Sequence, residues 1–102
     1  MKTNMNTMNV ETIYKQKVQT QLLEFLCRQF LVEEQDIELN ESLVDTGIID
    51  SMGLIEIASY IETNYAFTVT EEMMNRANFG SVIKIVDFIN KHDASNGSPT
   101  KK

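Results

Sequence analysis

Gly47-Ile48-Ile49-Asp50-Ser51-Met52-Gly53-Leu54 is the stretch on which the reading of this 102-residue chain turns. Gly47 opens backbone conformations closed to other residues, and Ile48 and Ile49 are placed to anchor a turn in a core. Ser51 is a favoured N-cap type, and an apolar pattern resumes directly behind it. A helix is therefore predicted to begin here, with the serine at its surface end. Any anionic group bonded to that hydroxyl would sit over unpaired backbone N–H groups and the positive end of the helix dipole.

Outward from the turn, the chain reads as helices. From Ser51 to about Asn64, Leu54, Ile55, Ala58 and Ile61 form an inward stripe, while Glu56, Ser59, Glu62 and Thr63 face out. Met52 stands between two roles, an exposed contact beside the serine or part of the core. Upstream, Glu33 to Asp50 is a long connection whose Ile37, Leu39, Leu43, Val44, Ile48 and Ile49 would seal one end of a bundle, with a turn or short helical start at 40–42. Before it, from about Glu11 to Leu31, the residues Ile13, Val18, Leu22, Phe25, Leu26 and Phe30 recur at helical spacing. Downstream, residues 64–69 form an extended connector with Phe67 and Val69 on one side. Thr70 caps a short helix through Met73, Met74 and Arg76, and Asn78-Phe79-Gly80 closes a turn. Ser81 then caps a last helix with the stripe Val82, Ile85, Phe88 and Ile89, widened by Ile83 and Val86.

The fold class that follows is all-α: a small four-helix bundle of three main helices and one short one, with a long loop between the first two. Residues 10–92 form one domain, and residues 1–9 and 93–102 are read as flexible ends. The chain is long enough for a modest core.

Charge narrows the partners. The net charge is −6, and from Glu33 to Glu72 there are eleven acidic residues and no Lys or Arg. Such a surface repels nucleic acid and anionic lipid and steers toward basic protein partners. A single cysteine, Cys27, excludes an internal disulfide and adjoins the first apolar stripe as a small core residue. No Cys/His cluster offers a metal site, no apolar run spans a membrane, and the N-terminus lacks the centre of a secretory signal. A monomeric cytoplasmic protein is the simplest reading. His92, the one histidine, is read as solvated at the end of the last helix.

Asp50-Ser51-Met52, preceded by a glycine and paired isoleucines and followed by an apolar helix, resembles the attachment site of acyl carrier proteins. The run Leu43-Val44-Asp45-Thr46-Gly47 is similar to that family's lead-in, and the likeness extends from about Val18 to His92. The resemblance implies an up-and-down topology and a 4′-phosphopantetheine arm on Ser51, whose thiol holds acyl or aminoacyl groups as thioesters. It implies a phosphopantetheinyl transferase, an acyl- or aminoacyl-loading enzyme and downstream biosynthetic enzymes as partners. Asp50 matches the position that assists the transfer, and Met52, Glu56 and Glu62 match positions that meet partners. No catalytic residue is implied. Gly53 replaces an acid common in fatty acid carriers, and Asp-Ser-Met-Gly looks more like D-alanyl and other aminoacyl carriers, which favours a specialised polyketide, nonribosomal or aminoacyl carrier over fatty acid synthesis.

Three other readings compete. The Asp45-Thr46-Gly47 run also resembles aspartic proteases, but the flanks repeat at helical spacing where that chemistry needs strands. Asp45 to Glu56 has the twelve-residue length of an EF-hand loop, yet Gly47, Ile49 and Asp50 occupy positions that should hold oxygen donors and glycine. A non-catalytic acidic helical adaptor without a prosthetic group explains size, charge and helices equally well. It leaves unexplained a turn that delivers serine behind Asp50.

Overall fold

The computed structural model describes residues 10–93. Four α-helices follow in order: α1 (Val10–Phe30), α2 (Ser51–Asn64), α3 (Arg76–Phe79) and α4 (Val82–His92), with single 3-10 turns at Glu34–Asp36 and Glu71–Met73. The expected three long helices and a short one are there. The flexible ends expected at 1–9 and 93–102 lie outside the described residues, Asp93 excepted.

Side-chain pairs give the topology. Glu11 accepts from Asn90 at 2.9 Å, Lys15 meets Asp87 at 3.0 Å and Tyr14 donates to Asp93, so α1 and α4 run antiparallel. Gln29 donates to Glu56 at 3.0 Å, Phe25 stacks on Tyr60 with centroids 4.3 Å apart, and Tyr65 donates to Gln21 at 3.1 Å, so α1 and α2 are antiparallel too. The end of α1, the start of α2 and the start of α4 therefore share one pole. The chain returns to that pole between α2 and α4 through residues 65–81.

The core is built from α1 (Val18, Leu22, Leu23, Leu26), α2 (Ile57, Ala58, Ile61) and α4 (Val82, Ile85, Val86, Phe88, Ile89). Ile37, Leu43 and Ile49 of the long connection join it as expected, together with Val69 and Phe79. Backbone bonds pin that connection. Leu43 N–H donates to Gly80 O at 3.1 Å, and Ile83 N–H donates to Leu39 O at 3.2 Å. Ser81 caps α4 as predicted, accepting from Lys84 N–H at 3.3 Å.

Four expectations are corrected. Ile13 is exposed, because α1 meets α4 through its Glu11-Tyr14-Lys15 side, and Leu23 is buried instead. On α2 the inward stripe is Gly53, Ile57, Ala58 and Ile61; Ile55 faces solvent and Leu54 is half-buried, since the close approach of Phe30 at Gly53 sets the helix rotation. The short helix through Met73, Met74 and Arg76 is two elements, because Asn75 breaks it and caps α3, accepting from Asn78 N–H at 2.9 Å. Asp93 is buried: it accepts from Tyr14 and from Ala66 N–H at 3.4 Å, clasping α1, α4 and the α2–α3 connector.

Cys27 is half-buried against the core, and burial, with Glu34, Glu33 and Asp36 nearby, pushes its thiol up and away from thiolate. His92 is exposed, though its ring lies 4.6 Å from that of Phe88 and Nδ1 sits 3.0 Å from Phe88 O. α1 ends at Leu31, whose φ of 58° is left-handed and costs a non-glycine residue about 1 kcal/mol.

Candidate functional site

The turn before α2 is built as a sequence of short bonds. Asp45 N–H donates to Ser42 Oγ at 3.0 Å, Thr46 Oγ1 to Ser42 O at 2.8 Å, and Gly47 N–H to Val44 O at 3.0 Å. Gly47 has φ 84°, and a Cβ there would meet nothing within 4 Å. Conformation, not space, asks for glycine at that position. Ile49 N–H then donates to Leu43 O at 3.2 Å, burying Ile49 and turning the chain out into α2.

Ser51 was expected to be the N-cap; the N-cap is Asp50. Its carboxylate Oδ1 accepts from Gly53 N–H at 3.0 Å, and Ser51 occupies the first helical position. Asp and Ser cap about equally well, but a cap must have extended backbone, and Asp50 has φ −109° and ψ −171°. The displacement matters chemically. With Asp50 doing the capping, Ser51 Oγ has no hydrogen-bond partner among the described residues, and Ser51 is exposed. Its hydroxyl is unengaged at a helix start, where first-turn N–H groups lack intrahelical acceptors.

Beside Ser51 lies a groove of about 190 Å³ between α2, the connection and α3. Val44, Leu54, Met74 and Phe79 line it with apolar surface, Ser42 and Asn75 with polar surface. Arg76, also a wall of the groove, reaches across to Asp45 with both terminal nitrogens at 3.2 Å. That guanidinium holds the Asp45 carboxyl below its ordinary value.

The sequence-derived candidates divide. Asp50, Ser51 and Met52 are together at the start of α2, and Met52 is 63% exposed, which takes it out of the core. Glu56 is exposed on the same helix, with one oxygen on Gln29. Glu62 is near the far end of α2, where Oε2 accepts from Val69 N–H at 2.8 Å and ties down the connector. Sequence reasoning missed Ile55, exposed one turn from Ser51, the groove wall Arg76, and Asp45, which that arginine holds. Ile55 was hidden in the continuous apolar run Leu54-Ile55. The Asp45–Arg76 contact joins residues 31 apart and left no local signal.

An exposed, unengaged hydroxyl at a helix start, beside a small amphipathic groove, suits a protein that carries a covalently tethered group. The chain belongs to the phosphopantetheine attachment site family, whose model matches residues 20–89. It is thus a carrier protein with 4′-phosphopantetheine as cofactor. It is similar to the D-alanyl carrier protein of Streptococcus mutans, 26% identical over 72 residues, covering 71% of this chain and 90% of that protein. The D-alanyl carrier proteins of Streptococcus thermophilus and Streptococcus gordonii are each 27% identical over 70 residues, covering 69% of this chain and 87% of theirs. No solved structure matches.

The residues present fit this cofactor. The free Ser51 hydroxyl offers a point of attachment, the open first turn of α2 favours a phosphodiester, and the groove gives a slender chain both apolar and polar surface.

Proposed function

We propose that Ser51 carries the 4′-phosphopantetheine arm and that the cargo is an aminoacyl group, of which D-alanyl is the first to test. The observation behind the attachment is the transfer of capping from Ser51 to Asp50, which leaves Ser51 Oγ unengaged at the surface. Ser51 Oγ takes the arm from coenzyme A on a phosphopantetheinyl transferase, losing its proton as the adenosine bisphosphate departs. Asp50 holds the first turn of α2 in shape and assists the transfer beside the serine. When bound, the arm supplies a terminal thiol that holds the cargo as a thioester.

The relatives' names support the aminoacyl cargo. Gly53 supports it less than the sequence suggested, because a Cβ there would lie 2.8 Å from Ile49 Cβ and 3.1 Å from the Phe30 ring. Packing alone accounts for that glycine.

The chain has no catalysis of its own in this reading, acts as a monomer in the cytoplasm, and keeps residues 10–92 as its carrier domain. Among the described residues no helix is long and apolar enough to cross a membrane. Partners are the transferase, an aminoacyl-loading enzyme and an acceptor enzyme. They meet Met52, Glu56, Glu62 and Ile55, and docking is weak and steered by charge, so partners exchange readily.

Intact-protein mass tests the attachment, after incubation with coenzyme A, magnesium and a promiscuous transferase. One phosphopantetheine on the wild type and none on a folded Ser51→Ala variant is the expected result. No addition to either leaves the acidic adaptor as the better reading. Loading of the modified chain by a D-alanine-activating enzyme, but not by acyl donors, tests the cargo.

A further inference from the structure

Leu31 is poorly explained by the architecture. It ends α1 at φ 58°, a conformation that favours glycine, and at 87% it is the most exposed large apolar side chain among the described residues. It neither adds to the core nor eases the backbone. A strained residue of this kind points to a role outside the fold.

Its surroundings suggest which role. Phe30, its neighbour, packs at Gly53, and Gln29 bonds Glu56 at 3.0 Å, so the end of α1 flanks the first two turns of α2. Leu31 is therefore at the same pole as Ser51, Met52 (63% exposed) and Ile55 (51% exposed). Three exposed apolar side chains from two separate elements thus share the pole of the serine. They stand in an acidic field: from Glu33 to Glu56 there are eight acidic residues and no cation. The cations of this pole are Arg28, Lys84 and Arg76, and Arg76 is committed to Asp45.

We infer that Leu31 extends the docking surface of Met52 and Ile55 onto the end of α1, and that the phosphopantetheinyl transferase occupies it. The matching face of that enzyme is an apolar socket rimmed by lysine or arginine. The inference rests on the reading of Ser51 as the attachment residue, since an enzyme that reaches Ser51 Oγ has to cover the surface beside it. Apolar anchors inside a charged rim are the usual economy of such contacts, the anchors holding and the charges steering.

Leu31→Gly separates this role from a structural one, because it removes the side chain and the backbone cost together. The expected result has two parts. Tm rises by about 4 °C or more, and the KM for the carrier in the transferase reaction with coenzyme A rises about tenfold with kcat unchanged. Leu31→Asn, which also tolerates φ > 0, behaves alike, while Leu31→Met keeps the wild-type KM. Wild-type KM in the Gly and Asn variants overturns the inference while leaving Ser51 as the attachment site. A wild-type chain that accepts no arm at Ser51 overturns the reading of that serine and this inference with it.

Discussion

A methyl group at position 53 has no room. Helix propensity alone predicts that Gly53→Ala stabilises α2 by about 0.5–1 kcal/mol. The new Cβ would lie 2.8 Å from Ile49 Cβ, which is fixed to the backbone and cannot swing aside. Overpacking of this kind costs about 1–3 kcal/mol, so the steric term wins. Denaturant titration of Gly53→Ala should show a net loss of about 1–2 kcal/mol. Asp50 gives a second test at this scale. Asp50→Ala removes the acceptor of Gly53 N–H and should cost about 1 kcal/mol. Asp50→Asn keeps a capping oxygen and should retain wild-type stability, while modification of Ser51 slows, if the carboxylate assists the transfer as proposed.

Helices differ in how openly their sequence announces them. α4 is plain, because Ser81 caps it and its stripe is interrupted by clearly polar Lys84 and Asp87. α2 is harder: Leu54, Ile55 and Ile57 spread over nearly half the helix, so its rotation is decided by Phe30 meeting Gly53, a contact between elements. The cap shifted by one residue for a related reason. Asp50 and Ser51 are equally good cap types, and only the backbone leaving Ile49 chooses between them. The division at Asn75 was visible as a cap type followed by a short helix, yet the neighbouring methionines masked it. The Arg76–Asp45 bridge, between α3 and the connection, was not legible at all. Its prediction concerns acid titration. The guanidinium lowers the Asp45 pKa in the folded chain, so the stabilisation it provides is present above the ordinary carboxylate value of 3.8 and is lost as pH falls through the lowered one. Both side chains are exposed, so the effect on stability is small. A carbon NMR titration should place the Asp45 carboxyl below 3.8 in the wild type and return it to the ordinary range in Arg76→Ala.

The net charge of −6 should make transferase docking salt-sensitive. Raising ionic strength from about 0.05 to 0.5 M shortens the screening length from roughly 14 to 4 Å, and KM should climb with little change in kcat. A KM indifferent to salt would count against steering by the acidic surface. Closure depends on Asp93, which receives Tyr14 Oη–H and Ala66 N–H in a buried site. Burial and the Asp93 contact together push the Tyr14 phenol well above its usual range, so it stays a donor. Asp93→Ala strands these donors and should cost about 1–3 kcal/mol in thermal or denaturant unfolding.

That clasp also has a practical consequence for handling the protein. Asp93 sits with Ala66, just past the end of α2, while Ser51 opens the same helix. Fourteen helical residues separate the two poles, about 20 Å of rigid rod. A dye, biotin or fused domain placed at the Asp93 pole therefore lies on the far side of the bundle from Ser51. Immobilised by such a handle, the protein would turn its reactive end toward the solution, ready for surface-based measurement of every partner named above.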